Sequence, residues 1–261
     1  MSDDIVIRVR GLRTKLGGKE IHKDLDLDVR KGEILGIVGG SGTGKSVLMR
    51  TILGLIKPRE GTIEVLGRKV DPLDPKAMLE LERRWGVLFQ DGALFSSLTV
   101  CENVEVPMRE HLDLPPKLAH ELALLKIKLA GLKAEDGRKI PSELSGGMRK
   151  RAALARALAL DPDIVFLDEP TAGLDPVGAS QFDALLQNLS RNLGFTVFLI
   201  THDLDTLYAV TDRIAVLADK KVLVTAPIAE LERHPHPWIH EYFHGPRGRA
   251  AHDSAMLAAR S

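Results

Sequence analysis

Gly39-Gly40-Ser41-Gly42-Thr43-Gly44-Lys45-Ser46 fits G-x-x-x-x-G-K-[ST], the spacing that wraps a backbone around phosphate. Glycines let successive N–H groups turn inward, and a helix starting at the loop's end sets its positive pole, roughly half a unit charge, beneath the phosphates. Lys45 would bridge the β- and γ-phosphates, and Ser46 would offer a hydroxyl to Mg2+. The loop alone specifies a nucleoside triphosphate and no more, since kinases, GTPases and motors share it.

Other residues narrow the chemistry. Ile164-Val165-Phe166-Leu167 is an apolar run ending in Asp168 and Glu169, so both carboxylates emerge where ligands sit in parallel sheets. Asp168 can hold the hydration shell of Mg2+, and Glu169 can polarise an attacking water. Thr201-His202-Asp203 closes the run Thr196 to Ile200, which would bring His202 to the same sheet edge to orient that water. Gln90 follows Val87-Leu88-Phe89, and its neutral amide can contact both Mg2+ and water. Leu144-Ser145-Gly146-Gly147-Met148 discriminates most: Ser145 is a natural N-cap, and Gly146 and Gly147 expose amides at the start of a basic, alanine-rich helix. One nucleotide has room for two such helix termini only if they face it from opposite sides.

The elements that must carry these groups are legible in the hydropathy pattern. Ile5, Ile7 and Val9, then Leu25, Leu27 and Val29, then Ile63 and Val65 alternate with polar neighbours, as half-buried antiparallel strands do. Ile34 to Val38, Ile164 to Leu167 and Thr196 to Ile200 are continuous apolar runs, the habit of parallel strands covered on both faces. Between Asp91 and Leu160 the strand signal gives way to helical spacing, with Leu118, Leu122, Leu125, Leu129 and Leu132 as one stripe, so a helical lobe of about 91–160 is expected inside an α/β domain. Phe182, Leu185, Leu186, Leu189 and Leu193 predict a helix that ends at Gly194.

Composition excludes several function classes. Lys+Arg and Asp+Glu both number 36, so no bulk charge points to nucleic acid or to an anionic membrane. Apolar residues are 44% and aromatics 4%, which suits a core of Leu, Val, Ile and Ala. A single cysteine, Cys101, excludes an internal disulfide and reads as a semi-buried thiol. The start Met1-Ser2-Asp3-Asp4 carries no exported leader, and the longest apolar stretches fall far short of the ~20 residues of a membrane helix, so a soluble, cytoplasmic chain is expected. His236, His240 and His244 repeat at i, i+4, but solvation or packing is the reading for them and no metal ligand is assigned; Gly245 to Ser261 is left without structure in an isolated monomer.

The phosphate loop, Gln90, Leu144-Ser145-Gly146-Gly147, Asp168-Glu169, Gly173-Leu174-Asp175 and His202 occur in the order and spacing of ATP-binding cassette (ABC) transporter ATPases, which the chain resembles over about residues 5–225. The resemblance implies a P-loop ABC nucleotide-binding domain over 1–245: a mixed sheet core, an N-terminal antiparallel β subdomain, an inserted helical subdomain, and a tail, 246–261, that stabilises a dimer. It implies ATP sandwiched head to tail between the loop of one copy and Ser145, Gly146 and Gly147 of another. It assigns Glu169 as general base, His202 as γ-phosphate switch, Gln90 as the link to a membrane subunit and Asp175 a role across the dimer. The signature departs at Met148, where Gln is usual, and Leu16 stands where an aromatic normally stacks on adenine, a contact worth about 0.5–1.5 kcal/mol.

Phe89-Gln90-Asp91-Gly92-Ala93-Leu94-Phe95, Pro107-Met108-Arg109-Glu110-His111 and Pro141-Ser142-Glu143-Leu144 through Met148, with Arg151 to Ala157, resemble the ATPase of maintenance-of-lipid-asymmetry (Mla) phospholipid transporters. That resemblance implies a permease dimer in the bacterial inner membrane, a periplasmic MCE lipid-binding subunit, a STAS-domain partner and attachment to the membrane's cytoplasmic face, with no nucleic acid involved. The rivals are an importer ATPase for amino acids or metal ions and a non-transport cassette protein acting on DNA or the ribosome. Neither two cassettes in one chain nor a long coiled-coil insert, the marks of the last class, is present.

Overall fold

A computed structural model describes residues 4–245 together with 248, 251 and 252. In chain order the elements are β1 (Ile5–Leu16), β2 (Lys19–Arg30), β3 (Ile34–Gly39), α1 (Lys45–Ile52), β4 (Glu60–Val65), β5 (Arg68–Lys69), α2 (Pro75–Glu82), β6 (Trp85–Leu88), α3 (Val100–His111), α4 (Pro116–Leu129), α5 (Gly146–Ala157), β7 (Ile164–Asp168), α6 (Pro176–Leu193), β8 (Thr196–Ile200), α7 (Leu204–Val210), β9 (Arg213–Ala218), β10 (Lys221–Ala226), α8 (Ile228–Leu231) and α9 (Pro237–His244). The chain divides into two compact units, Met1–Met78 with Phe198–Ser261, and Leu79–Val197.

In the first unit the alternating strands form an antiparallel sheet in the order β2-β1-β4-β5. Ile7, Val9, Leu12, Leu25, Leu27 and Val29 are buried while Arg8, Arg10, Asp24 and Asp26 beside them face water, because successive side chains in a strand point to opposite faces. Val9 lies opposite Leu27 on one side and Ile63 on the other, so the three predicted strands pair in register. A second sheet runs β10-β9-β3-β8, with β3 parallel to β9 and β10 antiparallel to β9. Ile34, Leu35, Ile37 and Val38 are all buried, each such side chain contributing about 1.5–3 kcal/mol relative to exposure. Strands β9 and β10 carry no signal singled out in the sequence.

In the second unit the order is β8-β7-β6, with β6 parallel to β7. Gly86 in β6 is obligatory: a Cβ there would lie 2.0 Å from the carbonyl oxygen of Ala157 at the end of α5. Between β6 and β7 the described residues form helices and short turns and no strand. Helix α3 starts with a capping box in which the Thr99 hydroxyl accepts from the Glu102 amide and the Glu102 carboxylate accepts from the Thr99 amide at 2.7 Å, a device worth about 1 kcal/mol. Helix α6 ends as expected at Gly194, whose φ of 77° is the left-handed conformation that favours glycine.

One predicted face is corrected. The leucine stripe faces the core only in part: Leu132 is buried and Leu122 packs partly against the core, whereas Leu118 and Leu125 are 41% and 50% exposed, and Ala119, Ala123 and Ile127 of α4 are buried. The small side chains of Ala119 and Ala123 let α4 pack closely on α3 and α5 there, at the expense of burying Leu118 and Leu125. The C-terminal expectation changes too, since Gly248, Ala251 and His252 are helical, Ala251 is buried, and His252 Nδ1 lies 2.9 Å from Glu232 Oε1. The remainder of 246–261 lies outside the described residues.

Candidate nucleotide site

In the first unit, β3 delivers the loop and α1 begins at Lys45, the strand-loop-helix order the phosphate reading needs. Gly44 has φ 99°, and a Cβ on it would meet Ile21 Cγ2 at 2.5 Å and His22 Nε2 at 2.6 Å. Gly39 is closed to side chains as well, with the Leu217 carbonyl oxygen 2.4 Å from where a Cβ would sit. The loop's tightness therefore comes from β2 and β9 pressing on it. Lys45 Nζ donates to the carbonyls of Gly39 at 2.8 Å and Gly40 at 3.2 Å, folding the ammonium over the loop, and Thr43 Oγ1 donates to Gly40 O at 2.9 Å. Ser41 and Gly42 are exposed at the tip, and Ser46 is half-buried in the first turn of α1.

His22 was not expected from the sequence. It is fully buried, with Nδ1 2.7 Å from the Thr14 hydroxyl, and burial brings its imidazole down to about 4, so it is neutral at physiological pH. Helix α9 is the other unexpected neighbour. Trp238 Nε1 would lie 3.9 Å from a Cβ on Gly40, Trp238 stacks on Tyr242 with ring centroids 4.9 Å apart, and Tyr242 donates to the carbonyl of His202 at 3.4 Å. One helix thus touches the loop and the histidine segment. His202 itself is exposed after β8, beside Asp203, whose side chain caps α7. Leu16 is 52% exposed at the end of β1, where it pairs with Lys19 to close the hairpin.

In the second unit, β7 ends at Asp168, which is 4% exposed, and Glu169 follows with φ 50°, a left-handed conformation few side chains adopt. Lys150 of α5 organises the surroundings. Its buried ammonium donates to the carbonyl of Gln90 and, at 3.1 Å, to that of Glu169, so one side chain ties together two segments 79 positions apart in sequence numbering, 90 and 169. Burial lowers its pKa, and the carboxylates Asp91, Glu169 and Asp168 pull it back up. The Gln90 segment is held further by Arg156, which donates to the carbonyls of Gly92 at 2.8 Å and Ala93 at 2.7 Å. Buried Asn103 binds Phe95 through both its amide nitrogen and its carbonyl oxygen. Gln90 is exposed. Lys150, Arg156 and Asn103 escape a sequence reading because an isolated Lys, Arg or Asn on a helix is ordinarily solvated.

Ser145 caps α5 as expected, its hydroxyl accepting from the Met148 amide at 3.2 Å, and Ser145 and Gly146 are exposed. Leu174 Cδ2 sits 3.9 Å and 3.8 Å from where Cβ atoms on Gly146 and Gly147 would be, which brings the Gly173-Leu174-Asp175 turn beside the glycines. Asp175 caps α6, accepting from the Gly178 amide at 2.9 Å. The donors assigned to Mg2+, the Ser46 hydroxyl, the Asp168 carboxylate and the Gln90 amide oxygen, are all hard oxygen ligands, the set that ion requires. Among the described residues no helix is long and apolar enough to cross a membrane.

Comparison with known proteins agrees with this chemistry. The sequence model of the family described as ABC transporter matches residues 22–172. The intermembrane phospholipid transport system ATP-binding protein MlaF of Haemophilus influenzae is 38% identical over 87% of this chain and 85% of its own. The probable ribonucleotide transport ATP-binding protein mkl of Mycobacterium leprae is 37% identical over 93% of this chain and 70% of its own. A dimeric ATP-binding cassette in a post-hydrolysis state bound to ADP and Pi superposes with a TM-score of 0.77 at 32% identity, covering 85% of this chain and 98% of that one. Both the phosphate loop and the Asp168-Glu169 pair fall inside the matched span, and the chain belongs to the ABC transporter family as an ATP-binding, ATP-hydrolysing cassette.

Proposed function

We propose that this ATPase energises phospholipid transport as the peripheral cassette of a Mla-type complex, with residues 1–245 as one cassette domain, 91–160 its helical insertion, and two copies closing head to tail on ATP. The observation that carries the dimer is the start of α5: a capped helix terminus with Ser145 and Gly146 exposed and no Cβ on Gly146 or Gly147, offering its amides to a phosphate brought by another molecule. Lys45 and the loop Gly39 to Ser46 hold the phosphates of their own copy, and Ser145, Gly146, Gly147 and Asp175 complete the partner's site. Leu16 lends an aliphatic contact to adenine. Glu169 takes the proton from water, and His202 orients that water against the γ-phosphate. Ser46, Gln90 and Asp168 would hold Mg2+, which neutralises charge on the β- and γ-oxygens when bound.

The braced segment after Gln90 supports docking of a membrane partner there. Phe95 is 51% exposed beside a groove of about 280 Å³ that is also lined by Trp85, Val106, Pro107, His111 and Arg156. Apolar side chains interleaved with Glu82, Glu110, His111 and Arg156 suit a short amphipathic helix of a permease dimer. The MCE and STAS-domain partners and the attachment to the cytoplasmic face of the inner membrane rest on the resemblance of Phe89 to Phe95 and Pro107 to His111 to Mla-type ATPases.

Two experiments test the reading. Ser145→Arg, mixed with the unaltered chain, is expected to silence the opposite site in trans; mixed dimers that hydrolyse ATP at every site would refute the sandwich. Recovery of the complex from detergent-solubilised membrane should yield permease together with phospholipid. A complex that carries ribonucleotide and no lipid would instead favour the activity for which the Mycobacterium leprae relative is named. Removal of 246–261 should weaken dimer recovery.

A further inference from the structure

Away from the nucleotide-binding residues, the helical part of the second unit brings together three side chains that the ATPase chemistry does not use. Cys101 and Glu105 stand four residues apart on α3, and His120 approaches them from α4. Cys101 Sγ lies 3.4 Å from Glu105 Oε1 and 3.3 Å from His120 Nδ1, and His120 Nδ1 lies 2.9 Å from Glu105 Oε1. All three donor atoms fall within 4.8 Å of one another, and theirs is the one such group found among the described residues. Cys101 and Glu105 are buried and His120 is exposed, so the triad forms the wall of a half-open groove of about 600 Å³.

We propose that Cys101, Glu105 and His120 form a binding site for a thiophilic divalent transition ion, Zn2+ first, that clips α4 to α3. One thiolate, one imidazole and one carboxylate are the donor types that Zn2+ takes. Bond lengths of about 2.3 Å to sulfur and about 2.0–2.2 Å to nitrogen and oxygen in a tetrahedron set donor separations of about 3.4–3.6 Å. The three observed edges are tighter than that by about half an ångström or less, so small side-chain rotations admit the ion. Arg109 pairs with the other oxygen of Glu105, fixing the carboxylate so that Oε1 points at the triad, as outer partners of metal ligands do. The fourth position opens on the groove, where water completes the shell. On binding, a sulfur–zinc bond forms and the thiol proton passes to solvent, with no change of oxidation state. Nucleophilic chemistry at Cys101 is disfavoured, because burial and the neighbouring Glu105 push its thiol up to about 12.

The test uses the full chain, freed of nucleotide and metal with a chelator and dialysed against Zn2+ or Co2+. One ion per chain is expected, and the Co2+ form should show a thiolate-to-cobalt charge-transfer absorption. Cys101→Ser should abolish that absorption, and both Cys101→Ser and His120→Asn should weaken zinc binding by at least about 10–100-fold, the loss typical of even an outer-shell partner. His120 is exposed, so His120→Asn leaves the core intact and keeps the result interpretable if Cys101→Ser folds poorly. No stoichiometric uptake, a cobalt spectrum without the thiolate absorption, or binding that survives both substitutions would overturn the site. Binding lost in Asp168→Asn or His240→Asn but not in Cys101→Ser would also overturn it, by placing the ion on the nucleotide-binding or C-terminal residues.

Discussion

The phosphate loop and the carboxylate end of β7 are built by opposite means. The loop is backbone chemistry: glycines at 39 and 44 that admit no Cβ, and a lysine turned onto the loop's own carbonyls. The carboxylate end is held by a side chain, Lys150, which donates to the Glu169 carbonyl and to that of Gln90, whose own segment Arg156 and Asn103 brace through the carbonyls of Gly92, Ala93 and Phe95. A site made of backbone tolerates little change at its glycines and much at its tip. A site held by long-range side-chain donors loosens when a single clamp is lost, since one change frees two segments at once.

The sharpest way to break the symmetry of the two regions is Glu169→Gln, which removes the proton acceptor and leaves the loop alone. Turnover should fall about 10²–10⁴-fold with ATP binding retained, measured by phosphate release and equilibrium nucleotide binding. Near-normal hydrolysis would take the base away from Glu169. The loop's support is sharpened by acid. His22 binds a proton less readily in the folded chain than in the unfolded one, so stability is fully present above about pH 6.5 and is lost as pH falls toward about 4, by about 3 kcal/mol in total. Chemical denaturation across that range should show this loss for the natural chain and a flatter profile for His22→Gln; identical profiles would reject it. The clamp is tested by Lys150→Met, which removes the charged donor to the Gln90 and Glu169 carbonyls at a cost of about 1.5–3 kcal/mol for each bond. Turnover should drop more than phosphate affinity does. Equal losses of both would mean that Lys150 acts only through general stability.

Tyr242→Phe is the mildest test: its 3.4 Å bond to the His202 carbonyl is long, and its loss should cost about 1 kcal/mol or less, visible as a small shift in turnover. It asks whether α9 merely covers the first unit or positions the histidine. The aromatic neighbours of α9 escaped a reading by motif, because Trp238 and Tyr242 follow a His- and Pro-rich stretch with no strand or helix pattern of its own.

What the sequence by itself determined is whatever depends on local spacing: the phosphate loop between a buried strand and a helix, the Ser145 cap, the carboxylates at the end of an apolar run, the antiparallel strands of the first unit, and the Gly194 helix stop. Each follows from residues within a few positions of one another, where backbone geometry and side-chain periodicity act directly. Only the tertiary structure decided that His22 lies under Gly44, that Lys150 joins Gln90 to Glu169, that Ala119 and Ala123 of α4 are buried while Leu118 and Leu125 are exposed, and that Cys101, Glu105 and His120 meet. Those are contacts between positions far apart in the chain. Their energies come from burial and desolvation, which a residue's own neighbours in sequence do not set.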